Sequence, residues 1–200
     1  MPSERDPKPV PQTSRRAFLK WGAGVTAVGA AATLGYTFLV EPFWWHAVHR
    51  ELPIANLPSA LVGRKLVQIS DLHIGPRVRE SFLCEALAEI ATLDPDILVI
   101  TGDVVHYTHP RDGEQAARVF RHLPPTRLGT VGILGNHDYA CGWGDSAAAR
   151  DVERRLKDLG VQVLRNELTE IAGLQVVGLD DLWARRFRPT AVLPRVDPQG

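Results

Sequence analysis

"DILVITGDVV", residues 96–105, decides how the rest of the chain is read. Ile97–Ile100 is an unbroken aliphatic run, and it stops at Thr-Gly-Asp. A short apolar run closed by turn formers reads as a buried strand. Working outward, the same pattern recurs on both sides. "KLVQIS", 65–70, runs into "DLHIG", and "LGTVGIL", 128–134, runs into "GNHDYACGWGD", 135–145. Helical periodicity fills the intervals. In 82–93 Leu83, Leu87, Ile90 and Ala91 share a face; in 113–123 Ala116, Val119, Phe120 and Leu123 do so; "AARDVERRLKDLG", 148–160, predicts a third helix. Three short strands, "VQVL", "LTEI" and "LQVVGL", follow. Strand and helix in alternation, joined by right-handed crossovers, make an α/β layered domain.

Each apolar run ends in chemistry: Asp71 and His73, then Asp103, then Asn136 and His137. Ligand sites in α/β sheets form at the carboxyl ends of the strands. The intervals of 32 residues from Asp71 to Asp103 and 33 from Asp103 to Asn136 are one strand, helix and loop each, so the three loops are expected side by side. Two carboxylates, an imidazole and an amide oxygen suit manganese, iron or zinc. Asp103, central in the series, can bridge two ions. Such a pair, about 3.5 to 4 Å apart, lowers the pKa of water towards about 7 and clamps an in-line phosphoryl displacement. His137 is then the candidate general acid, with Asp138 expected to hold its imidazole protonated.

"SDLH", "TGDVV" and "GNHDY", in this order and spacing, resemble the first three motifs of the calcineurin-like metallophosphoesterases. The resemblance spans residues 50 to 183 or so and implies a two-sheet β-sandwich flanked by helices, with two divalent ions (manganese, iron or zinc). By it Asp71 and His73 serve the first metal, Asp103 bridges, Asn136 serves the second, and His137 is the acid. "VQISDLHIGP" and "VGLDDLW", together with the N-terminus, are similar to the exported or membrane-attached branch of that family. That branch includes phosphodiesterases acting on lipid-linked pyrophosphates of the UDP-diacylglucosamine type. The family also implies further histidines, one alone and a pair in Gly-His-x-His, whereas no His follows His137 here. The expectation is therefore the N-terminal part of such a domain, incomplete at its C-terminus. Its rivals are a non-catalytic, membrane-tethered metal-binding module and a nucleotide or phosphoprotein phosphatase.

The N-terminus reads as an address. Residues 1–13 carry four prolines and predict a disordered leader. Ser14, Arg15, Arg16, Phe18, Leu19 and Lys20 match the twin-arginine export signal, and Trp21–Val40 is uncharged. Ala30-Ala31-Ala32 offers a cleavage site, but cutting there strands an apolar end, so an uncleaved anchor is expected. Arg15, Arg16 and Lys20 then lie on the cytoplasmic side, with Trp44 and Trp45 in the outer aromatic belt. The expected division is a signal or anchor at 1–40, a linker at 41–63 and the domain from 64 to 200.

Composition narrows the partners. The 23 basic and 23 acidic residues balance, and residues 41–200 hold 18 basic against 21 acidic, so no field draws this chain to nucleic acid. Cys84 and Cys141 are too far apart in sequence for a paired-cysteine metal motif, and they offer no disulfide framework. His46, His49, His106 and His109 are expected to be solvated. Arg185, Arg186 and Arg188 are expected in a poorly packed tail, and Asp180 and Asp181 in a turn.

Overall fold

A computed structural model describes residues 14–198; the leader expected at 1–13 lies outside them. The chain divides into two compact units at His49 and Arg50. The first is built on helix α1, Arg15–Leu39, whose N-terminus is capped by Ser14, its side chain accepting from the Ala17 amide. At about 1.5 Å per residue its 25 residues extend about 37 Å, more than the ~30 Å of a bilayer's hydrocarbon. An 18-residue stretch of it has a mean hydropathy of 1.3, and none of its residues is buried. Thr26 and Thr33 donate their hydroxyls to the carbonyls of Gly22 and Gly29, so their polar groups are satisfied within the helix.

The second unit carries strands β1 (Leu66–Ile69), β2 (Ile97–Thr101), β3 (Gly129–Ile133) and β4 (Val161–Val163), paired in that order and all parallel. Helices α2 (Glu80–Thr92), α3 (Pro110–Phe120) and α4 (Ser146–Lys157) make the crossovers. Alternation along β2 sets the layers, because successive side chains point to opposite faces. Leu98 and Ile100 join Leu83, Leu87, Val119, Phe120, Val152 and Leu156 from the three helices. Ile97 and Val99 join Leu164, Ile171, Leu174 and Val176 on the other face. That second face is covered by an antiparallel hairpin, β5 (Glu167–Ile171) with β6 (Leu174–Gly178). Helices, parallel sheet and a second small sheet are thus stacked, the layered α/β arrangement expected.

Part of the stretch expected as linker is built into this unit, since Leu57 and Leu61 pack in the hairpin-side core. Asp96 ties the sheet together ahead of β2. Its buried carboxylate accepts from the Lys65 amide and from Arg64 and Arg127, and these partners, the amide foremost, hold its pKa below the usual carboxylate range.

Candidate metal centre

Parallel pairing brings the carboxyl ends of β1, β2 and β3 to one edge, and the backbone there keeps pairing past the strands. The Asp71 amide donates to the Gly102 carbonyl at 3.1 Å, that of His73 to Asp103 at 3.0 Å, and that of Ile74 to Val104 at 3.0 Å. Asp71, His73 and Asp103 all sit at positive φ, 56°, 44° and 49°. Non-glycine residues hold such conformations at a cost of about 1 to 3 kcal/mol each, and they cluster at working sites. Between them Gly102 (φ 90°) lies so close to the β3 loop that a Cβ would stand 2.6 Å from the Gly135 nitrogen. A Cβ on Gly135 would collide in turn with Asp103. This contact lets the His137 amide donate to Asp103 Oδ1 at 3.0 Å.

The edge gathers ligand atoms. His73 Nε2 lies 3.6 Å from Asp71 Oδ1 and 3.8 Å from Asp103 Oδ2, and one ligand atom from each of the three falls within 4.8 Å of the others. Ligands sharing one ion at bonds near 2.1 Å stand about 3 to 3.5 Å apart, so a divalent ion fits with small side-chain adjustments. Asn136 adds a second sign. It is 7% exposed, and its buried Nδ2 has no hydrogen-bond partner. Half a turn of the amide presents Oδ1 there instead, the atom a cation takes. A second group of three, His73, His106 and His137, has ligand atoms equally close. The His106 and His137 Nδ1 atoms are 3.0 Å apart, and the rings of His73 and His137 meet edge-on at 4.8 Å.

Asp138 does not hold the His137 imidazole. It is fully buried, and its carboxylate accepts from the amides of Val104, Val105 and Gly135 at 3.3, 2.8 and 2.9 Å. Residues 136–139 form a 3-10 turn, in which neighbours point about a third of a revolution apart, so Asp138 faces the β2 loop while His137 faces the edge. Burial pushes its carboxyl up to about 7 against the pull of the three amides. His106, in turn, is no solvated loop residue but the nitrogen partner of His137. Pairing resumes in the same register after the positive-φ residues Gly102 and Asp103: Val104 and Val105 are fully buried, Val105 bridges Ile74, and the His106 amide donates to the Ile74 carbonyl.

Other residues fall outside the centre. His109 caps α3, accepting from the Arg111 amide. Asp180 is buried against Tyr139 and Arg165, and Asp181 caps a turn by accepting from the Ala184 amide. The segment of Arg185, Arg186 and Arg188 is tied down and not a loose tail. Asn166 bonds the Arg186 carbonyl and the Arg188 amide, while Ala184 and Val192 are buried. Cys84 and Cys141 are free thiols.

The profile of the calcineurin-like phosphoesterase family matches residues 64–189. Over 142 residues, 69% of this chain and 32% of the relative, the sequence is 36% identical to a "Transmembrane protein with metallophosphoesterase domain" of Danio rerio. It is 28% identical over 191 residues, 92% of the chain and 68% of the relative, to "Phosphodiesterase YaeI" of Escherichia coli. To "UDP-2,3-diacylglucosamine pyrophosphatase LpxG" of Chlamydia trachomatis it is 34% identical over 147 residues, 66% of the chain and 42% of the relative. The aligned part therefore spans between about a third and two thirds of these relatives.

Proposed function

Because the chain belongs to the calcineurin-like phosphoesterase family, we propose that it hydrolyses a phosphoester, a phosphodiester or lipid-linked pyrophosphate, at the edge formed by the β1, β2 and β3 loops. The observation that carries this reading is the convergence of Asp71, His73 and Asp103 ligand atoms within 4.8 Å at the strand ends. Asp71, His73, Asp103 and Asn136 are the residues that would hold the divalent ions, two in the whole enzyme. Such ions supply Lewis-acid stabilisation of the phosphoryl oxygens and a lowered pKa for water.

The protein's own part is orientation and proton delivery. When His106 donates Nδ1–H to His137 Nδ1, the neutral His137 ring carries its proton on Nε2, the nitrogen left free for the leaving oxygen. Asp138 keeps the turn beneath His137 in register by collecting three amides. For location, the reading is export by the twin-arginine route and retention by α1, with Arg15, Arg16 and Lys20 on the cytoplasmic side and the second unit outside. The length and apolarity of α1 and the transmembrane name of a relative support membrane attachment. The names of the YaeI and LpxG proteins support the substrate class.

The test is hydrolysis of bis-p-nitrophenyl phosphate by the purified chain in detergent. Turnover with manganese that disappears on chelation is the expected result. Equal turnover in chelator would exclude the metal reading, and metal binding without turnover would leave the non-catalytic module.

A further inference from the structure

Two tryptophans stand exposed beside the candidate acid. Trp143 lies with its ring centroid 6.3 Å from that of His137, edge-on at 66°, and Trp183 stacks on Trp143 at 5.3 Å and 25°. Trp143 is 38% exposed and Trp183 64%. Large rings at the rim of a polar site are where ligands find apolar contact.

The backbone invests in this arrangement. Trp143 is held at φ 57°, its amide donating to the Ala140 carbonyl at 3.1 Å, although glycines stand on both sides of it. A bulky residue in the left-handed region is a genuine outlier, and such strain accompanies function. Trp183 sits in the turn that Asp181 caps. The two loops are fastened to one buried group, since Tyr139, four residues before Trp143, donates to Asp180, three residues before Trp183, and Arg165 bonds both. The rings are therefore preset, with one face of the outer indole open.

We propose that Trp143 and Trp183 form a binding platform for a planar aromatic group on the substrate, a nucleobase, carried on the His137 side of the phosphate. The assignment rests on the phosphoesterase reading, which puts that phosphate at the Asp71, His73 and Asp103 edge. A planar ring continues the series from His137 through Trp143 to Trp183, and base-on-indole stacking is tolerant of which base is offered.

The test compares adenosine 5′-monophosphate with ribose 5-phosphate by calorimetry on the full chain with manganese. Both carry the same phosphate and sugar, so their affinity ratio isolates the base. The wild-type chain should favour the nucleotide by about 5- to 150-fold. Trp183→Ala should bring the ratio towards one, and Trp183→Phe should restore part of it. Because Trp183 is exposed, neither change opens a hole in the core. Equal affinities in the wild type, or a ratio that survives Trp183→Ala, would overturn the platform while leaving the phosphate site standing. A Trp183-dependent preference for dihexanoyl phosphatidic acid over the nucleotide would replace the nucleobase by acyl chains and overturn it too. Binding of none of the three would overturn the platform as well, and absence of bis-p-nitrophenyl phosphate turnover in the same preparation would remove the phosphoesterase reading along with it.

Discussion

His137 and Asp138 are adjacent in sequence and opposed in the fold, which makes their substitution effects separable. Asp138→Ala leaves the buried amides of Val104 and Val105, and the half-buried one of Gly135, without their acceptor, at about 1 to 3 kcal/mol for each buried unsatisfied group. The expected loss is about 3 kcal/mol or more in urea unfolding, with Asp138→Asn milder because it keeps one accepting oxygen. His137→Ala should leave folding near wild type and remove proton delivery, typically worth about 100- to 10,000-fold in rate. That loss should shrink for a nitrophenolate, which leaves without protonation, and an equal loss for an alkoxide ester would take His137 out of the acid role. Asn136→Ala should behave differently again, weakening retention of metal so that added manganese recovers part of the rate. The adjacency of His137 and Asp138 suggested an imidazole-carboxylate pair, and only the pitch of the 3-10 turn reveals that they diverge.

At the scale of elements, the loops after β1, β2 and β3 are a contact device as much as a ligand set. Gly102→Ala would require positive φ of an alanine and push its Cβ into the backbone of Gly135. We expect a loss of at least about 2 kcal/mol, seen as a lower urea midpoint, together with weaker metal binding as the Asp103 and Asn136 loops separate. A midpoint at the wild-type value would show that the loops do not depend on this approach. Much of this layer was legible beforehand. Aliphatic runs closed by Gly and Asp announced β1, β2 and β3, and the 32- and 33-residue intervals placed Asp71, Asp103 and Asn136 on one edge. His106 was not legible, because its place opposite His137 depends on pairing that resumes after the positive-φ residues Gly102 and Asp103, and no side-chain periodicity carries across that break. The packing of Leu57 and Leu61 against the hairpin was hidden too, since isolated leucines among prolines carry no period.

The whole molecule combines an apolar N-terminal helix with a unit built on a parallel sheet. Replacing Arg15 and Arg16 by Lys should stop export of a reporter that folds before transport; continued export by that route would show the address misread. Acid stability tests the sheet. Asp96 is held below the usual carboxylate range, so its contribution is complete above about pH 4 and is lost as pH falls through its lowered pKa. Asp96→Asn should flatten that acid limb in denaturant titrations, and a limb as steep as wild type would assign it to other carboxylates. The central claim, that the strand ends form a divalent metal site, is tested most directly by manganese titration of the full chain, following free ion by electron paramagnetic resonance. Asp103→Asn keeps the oxygen that accepts the His137 amide but removes the charge, so it tests the ligand and spares the loop contact. Saturable binding in the wild type, lost in Asp103→Asn with circular dichroism intact, is the expected result. Saturable binding of equal affinity in both chains, or none in the wild type, would contradict it.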